Sequence, residues 1–473
     1  VAVSEVVAGS LLDALLSVAA VVLLLAAGLW IAVKRSGLGM IFFFFLFAFV
    51  WRLSSVLYID LFGPVFADQL VQDIGPGMAA IPIAISQGLV AAALLFSFRQ
   101  HRVRQIICAN ESTAVRWSPL ARFSLPDIAF WTAALFIVAL WIELLVRGQI
   151  PLFSGIERFD YTRLYGGPLH RRLMEWGAML AFQLGMFFSV PLLHGRKTDW
   201  RFGALFGSLI VYLFLAGHRF SSFYLYASFF IMPIGAVVIG RQAISLFRDE
   251  VISWRMIRHL TVAGLTLLIL TAIAVAYSYI VVRGEGTELL AKLSQRILVQ
   301  QGEMWWMTYK RVFLHGEWNG SLAAYKLFVD PFDPSRNSTM QLLMELALPL
   351  RRAHYIIAQG SGYTGGWPEV FFELGGPIGG FFLVGLSAIV FSEFMFLMTR
   401  CIVQERFATC FFLTPILFAL SLTMVSGMVN SFIQMTFLIK VSVAVIVYLV
   451  ENNLRSRASF FKSIPGADKK ART

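Results

Sequence analysis

Apolar residues in this chain fall in long unbroken runs separated by short polar gaps. Leu11 to Val33, Met78 to Phe98, Leu260 to Val282 and Phe432 to Val450 are examples. Each is close to the ~20 residues an α-helix needs to cross the hydrocarbon core of a bilayer. Inside lipid every backbone N–H and C=O must be paired within the protein, so only helices and closed barrels span. These runs are continuous, unlike the ~10-residue alternating strands of a barrel, and that selects helices. The pattern predicts eleven spans, near residues 10–33, 39–57, 78–98, 127–146, 175–194, 202–217, 221–240, 260–282, 369–398, 408–426 and 432–450. The fold expected is an all-α polytopic integral membrane protein. Residues 1–282 form the first eight helices of the bundle, 283–368 a large loop, 369–450 the last three helices and 451–473 a basic tail.

Composition agrees: 58% of the 473 residues are apolar and 14% are charged, more apolar surface than a soluble chain of this size can hide. The first run has no basic lead-in and no evident cleavage site, so it reads as a span and not a signal peptide. The net charge of +12 lies in the gaps. Lys34 and Arg35 follow span one, Arg99, Arg102 and Arg104 span three, Arg196 and Lys197 span five, Arg241 and Arg248 span seven, Arg400 and Arg406 span nine. Every odd-numbered exit is basic, which puts these gaps in the cytoplasm and the N-terminus outside. Charge so placed gives no reason to expect nucleic acid. The first outer loop carries Asp60, Asp68 and Asp73 instead. Cys108, Cys401 and Cys410 form no disulfide framework, and there is no CxxC, HExxH or Walker loop. No metal and no other cofactor is expected.

Basic charge on the outer side is the strongest functional signal. The gap after span four reads RGQIPLFSGIERFDYTRLYGGPLHRR, with Arg147, Arg158, Arg163, Arg171 and Arg172 against Glu157 and Asp160. A short outer loop this basic works against the positive-inside rule, and binding an anion would compensate. The plainer alternative is contact with lipid headgroups or with acids of the large loop. Arg219 lies in the tight turn GHRFSS, and Arg283 follows span eight; singly, each reads as an interfacial anchor. Together the three clusters suit a diphosphate, because a guanidinium offers two parallel charge-assisted hydrogen bonds.

The large loop ends in YTGGWPEVFFELGGPIGG, Tyr363 to Gly380. Pro368 fits a helix's first turn, Glu369 follows it, and Glu373 falls one turn deeper on the same face. A carboxylate in a membrane helix is costly and marks a functional site by default; the alternative for Glu369 is complementing the helix dipole. Within the loop, Leu289, Leu290, Leu293, Ile297 and Leu298, and again Leu342, Leu343, Leu346 and Leu350, repeat at helical spacing, which predicts helices on the membrane surface or folded over the bundle. WWMTYKR, Trp305 to Arg311, has the aromatics of an interface belt. Stacking on sugars is the sharper alternative. Arg52, Glu143 and Lys440 are expected in structural pairs, and His170, His218 and His354 at the outer surface.

The order of these features resembles the bacterial O-antigen polymerase (Wzy-type) family and the related O-antigen ligases. IPLFSGIERFDYTR is similar to the family's first basic outer loop, GHRFSS to its small-Arg-Ser turn, and WPEVFFELGGPIGG to the helix after its long loop. Ligases carry a histidine where this chain has Pro368 and Glu369, which favours the polymerase. The resemblance implies a GT-C-like architecture in a bacterial inner membrane, with the site on the periplasmic face. It implies joining of oligosaccharide repeats carried on undecaprenyl diphosphate. A chain-length regulator and a flippase would be partners beside the lipid-linked glycans and membrane lipid. Arg158, Arg163, Arg219 and Arg283 would hold the diphosphate. Glu369 is the first candidate for the base, with Asp160 and His218 in reserve. Tyr161, Trp305, Arg351, Arg352 and Glu373 would contact the glycan. A ligase, a transporter or flippase for an anionic lipid-linked glycan, and an outer-face acyltransferase stay as alternatives.

Overall fold

The computed structural model describes residues 11–111, 125–156, 160–218, 220–244, 294–328, 339–358 and 365–462. Arg158, Arg219, Arg283, the predicted eighth span and Leu289 to Leu293 lie outside these residues. Nine helices among the described residues are long and apolar enough to cross a membrane: Leu12–Lys34, Ser36–Phe62, Ala80–Ser97, Leu125–Ser154, Pro168–His194, Ser221–Arg241, Glu369–Val403, Phe407–Ser426 and Met435–Leu454. Trp200–Leu215 is a shorter apolar helix at the predicted sixth span.

The helices used below are α1 (Leu11–Lys34), α2 (Ser36–Phe62), α3 (Ala80–Ser97), α4 (Gln100–Glu111), α5 (Leu125–Arg147), α6 (Pro151–Ser154), α7 (Pro168–Ser189), α8 (Trp200–Leu215) and α9 (Phe220–Ile244). The large loop contributes α10 (Glu303–Tyr309), α11 (Gly320–Phe328), α12 (Thr339–Ala347) and α13 (Leu350–Ala358), and α14 (Glu369–Val403), α15 (Phe407–Ser426) and α16 (Met435–Lys462) follow. The first outer loop holds a hairpin, β1 (Val65–Ala67) and β2 (Gln72–Ile74), with Phe66 opposite Asp73. The final helix runs to Lys462, so the first part of the expected tail is helical.

At the centre, α2 packs on α9, α9 on α7, and α14 on α3, α9 and α15. The Phe-rich stretch of α2 supplies the contact rings. Phe45 meets Phe391 of α14 edge-on at 5.1 Å, and Phe44 meets Phe229 of α9 at 5.8 Å. Helices α2 and α9 run antiparallel. Gly37 lies against Gly235, and the Phe47 N–H donates to the Tyr224 hydroxyl at 3.0 Å. Carried along, this register sets Arg52 level with the start of α9. Pro233 and Pro415 sit inside apolar helices, where neighbouring helices tolerate them.

The charged gaps gather at one end, as their alternation requires. Arg102 holds Glu393 through two bonds of 2.5 and 2.8 Å, the Arg35 guanidinium donates to the Phe98 carbonyl, Arg201 pairs with Asp127 at 2.9 Å, and His194 meets Glu405. The large loop covers the opposite end: α10, α11 and α12 all pack on α14, and α10 also on α2. Its helices fold over the bundle. The predicted repeat through Leu350 breaks at Pro349, so Leu342 and Leu343 are buried on α12 while Leu350 starts α13 exposed.

Candidate functional site

The carboxylates of α14 sit where the large loop re-enters the bundle. The chain reaches them through Gly365 and Gly366, both at positive φ. A Cβ on Gly366 would overlap the Ser426 carbonyl at the end of α15, so only glycine lets the two backbones cross. Trp367 stacks flat on Phe49 at 4.8 Å. Helix α14 is then interrupted at Gly376 (φ 70°, ψ −169°), next to Pro377. Its 35 residues would extend about 50 Å if straight, well beyond a ~30 Å hydrocarbon core. The break separates the two turns that bear Glu369 and Glu373 from the longer segment behind them.

Both carboxylates are buried, Glu369 at 0% and Glu373 at 2% exposure. Glu369 Oε2 lies 3.3 Å from an Arg52 Nη of α2. Its other oxygen is buried with no hydrogen-bond partner among the described residues. Glu373 lies 3.6 Å from Arg311 of the large loop and accepts from the Thr308 hydroxyl. The two acids thus use one cation from the bundle and one from the loop. Glu369 does more than complement a helix dipole, and Arg52 has its partner in α14.

Loop helix α10 closes over this place. Trp305 is fully buried, donates its indole N–H to the Ala79 carbonyl at 2.7 Å and meets Phe372 edge-on. Trp306 and Tyr309 are buried too. The interface-belt expectation is therefore corrected: the stretch is the core of the loop's docking surface, and Trp305, expected to contact the glycan, is buried within it. Glu303, which the sequence reading did not single out, is 1% exposed with Oε1 unpartnered among the described residues. Burial, reinforced by nearby Asp68, pushes its carboxyl up to about 8.

The basic outer loop forms a second cluster. Helix α7 begins at Pro168, earlier than expected, so Arg171 and Arg172 stand in its first turns and Arg172 pairs with Glu175. Glu143 of α5 accepts from the Leu169 and His170 N–H groups at 3.1 and 2.9 Å, capping α7 from another helix. His170 is wholly buried, not at the surface. Tyr161, expected to contact the glycan, is buried edge-on against the His170 ring at 5.0 Å, and burial raises its hydroxyl pKa. Asp160 and Arg163 are exposed, and Arg147 donates to the Tyr165 carbonyl at 2.7 Å. His218 is half-buried, 3.2 Å from the Ser222 hydroxyl and 6.2 Å ring to ring from His170. His354 is exposed beside Glu345, and Lys440 is exposed.

The structure brings Glu369 and Glu373 together, and it gathers Tyr161, Thr162 and His218 around His170. Arg351 and Arg352 stand apart from both on α13, which packs on α12, and line an open cavity of about 530 Å³ with Pro349 and Tyr355.

Residues 333–441, under a quarter of the chain, match a family of unknown function, DUF6418. The match covers α12 to the start of α16 and so includes Glu369, Glu373 and the break at Gly376. No curated protein and no solved structure matches the chain.

Proposed function

We propose that the protein is a polymerase that joins oligosaccharide repeats carried on undecaprenyl diphosphate, at the periplasmic face of a bacterial inner membrane, in an eleven-span GT-C-like bundle. The observation that carries this reading is the buried Arg52–Glu369 pair. It gives an acid with one oxygen that has no hydrogen-bond partner among the described residues, level with the start of α9 and at the end of the bundle that bears the basic outer loop. In the reaction an acceptor hydroxyl forms a bond to the anomeric carbon of the donor glycan while the bond from that carbon to the diphosphate breaks. Glu369 orients the hydroxyl and takes its proton. Arg158, Arg163, Arg219 and Arg283 neutralise the departing diphosphate. Arg52, 3.3 Å from Oε2, holds Glu369 in position.

Incubating purified protein with lipid-diphosphate-linked repeats and sizing the glycan tests this: longer products are expected, and unchanged repeats would refute it. One observation favours a second reading, a transporter for an anionic lipid-linked glycan. Helix α14 is discontinuous at Gly376 beside buried acids, a device transporters use at their binding sites. A transporter would bind the repeats and leave their length unchanged.

A further inference from the structure

His170 has both ring nitrogens engaged. Nδ1 lies 2.9 Å from the Tyr212 hydroxyl of α8, and Nε2 lies 3.1 Å from the Thr162 hydroxyl of the outer loop. The ring is 0% exposed. A neutral imidazole has one donor and one acceptor nitrogen, and each hydroxyl can take either role, so the chain Tyr212–His170–Thr162 is satisfied without a buried charge. The Glu143 carboxylate fixes the ring's backbone by accepting from His170 N–H. Gly166 and Gly167, just before α7, leave the space that the imidazole and this carboxylate fill. On the loop side Tyr161 packs against the ring, and on the α9 side the His218 ring faces it at 6.2 Å.

We infer that His170 is a positioning residue: an internal latch that seats the loop segment Tyr161–Tyr165, with exposed Arg163, against the α8–α9 end, so that the loop's cations face a diphosphate-bearing lipid together. The seating follows from the contacts alone; its consequence for lipid rests on the function proposed above. From the bundle interior His170 Nε2 meets the Thr162 hydroxyl, and at the rim Arg147 donates to the Tyr165 carbonyl and Arg171 to the Arg163 carbonyl. Loss of the first leaves the loop held at its edge.

The test works from the loop side, because His170→Ala removes a buried ring and risks the fold. Thr162→Val deletes the hydroxyl and keeps the shape, and Thr162→Ser restores the hydroxyl. At the ring, His170→Gln places an amide near the Nε2 position and His170→Asn near Nδ1. Two readouts are taken on full-length protein in detergent at matched melting temperature: the rate of tryptic cleavage after Arg163, and the affinity for undecaprenyl diphosphate. Loss of one neutral hydrogen bond corresponds to roughly three- to tenfold. Thr162→Val and His170→Asn should speed cleavage and weaken lipid binding by that factor, while Thr162→Ser and His170→Gln stay near wild type. Cleavage in Thr162→Val at the wild-type rate overturns the latch. If cleavage changes as expected but wild type itself does not bind the lipid diphosphate, the latch stands and the functional reading falls.

Discussion

The Arg52 guanidinium lies 3.3 Å from Glu369 Oε2, although the two residues are 317 positions apart in the chain. This bond ties the second helix of the bundle to the helix that follows the large loop. Both groups are nearly sealed from water, with side-chain exposures of 9% and 0%. Removing one member of such a pair strands a buried charge and typically costs about 3–5 kcal/mol, whereas removing both is far milder. Arg52→Gln and Glu369→Gln should each lower the melting temperature in detergent markedly, and the double variant should recover most of the loss. Additive losses in the double variant would mean the two side chains act independently.

Glu303 predicts a dependence on pH. Its carboxyl is raised to about 8 by burial and by Asp68, against ~4.3 in an unfolded chain. The folded state therefore holds the proton more tightly. The stabilisation is complete below about pH 4.3 and is lost as pH rises towards 8, on the order of a few kcal/mol in all. Melting temperature should fall between pH 5 and 8, and Glu303→Gln, which stays neutral, should flatten that slope and be the more stable protein at pH 8. Parallel profiles would place the titration elsewhere.

Backbone crossing predicts a local intolerance. Gly366→Ala puts a Cβ into the Ser426 carbonyl at a φ of 118°, so the loop and the end of α15 must separate, and folded yield should fall sharply. Gly207→Ala, on α8 with open space around it, should be neutral or stabilising by up to about 1 kcal/mol. Equal yields of the two variants would show that the crossing is loose.

Orientation is testable by cysteine labelling of intact cells. Asp73→Cys, on the hairpin, and Ser154→Cys, in the basic outer loop, are exposed positions on one side of the alternation, and Lys197→Cys is exposed on the other. An impermeant reagent should modify the first two and spare the third. Modification of Lys197→Cys alone would invert the protein.

How much of this was written locally in the chain varies from element to element. Runs of apolar residues located the helices, and the alternation of basic gaps anticipated the shared end where Arg102 meets Glu393 and Arg35 meets Phe98. Glu369 and Glu373 were legible because a carboxylate next to Pro-Gly signals in an apolar run is conspicuous. Arg52 was visible as an oddity, but its partner was not, since pairing across 317 residues leaves no trace in local periodicity. The WWMTYKR stretch has the composition of an interface belt and is buried because tertiary docking on Ala79 and Phe372 overrides composition. His170 was expected at the surface and Glu303 was not singled out for the same reason: burial by distant elements gives each its character. The Gly-Gly-Pro before α7 was the available hint that the chain passes close to other groups at His170.

Under the proposed function, the Arg52–Glu369 site joins lipid-linked glycans. Its most direct test is the length distribution of glycan made by purified protein from lipid-diphosphate-linked repeats, comparing wild type with Arg52→Gln/Glu369→Gln, whose buried charges are removed together. Wild type should build chains of many repeats, and the double variant, folded and still binding the repeats, should fall by about 10²–10⁴-fold in rate. Chains of normal length made at the normal rate by the double variant would remove Glu369 from the chemistry, and repeats left unjoined by folded, substrate-binding wild type would contradict the enzyme itself.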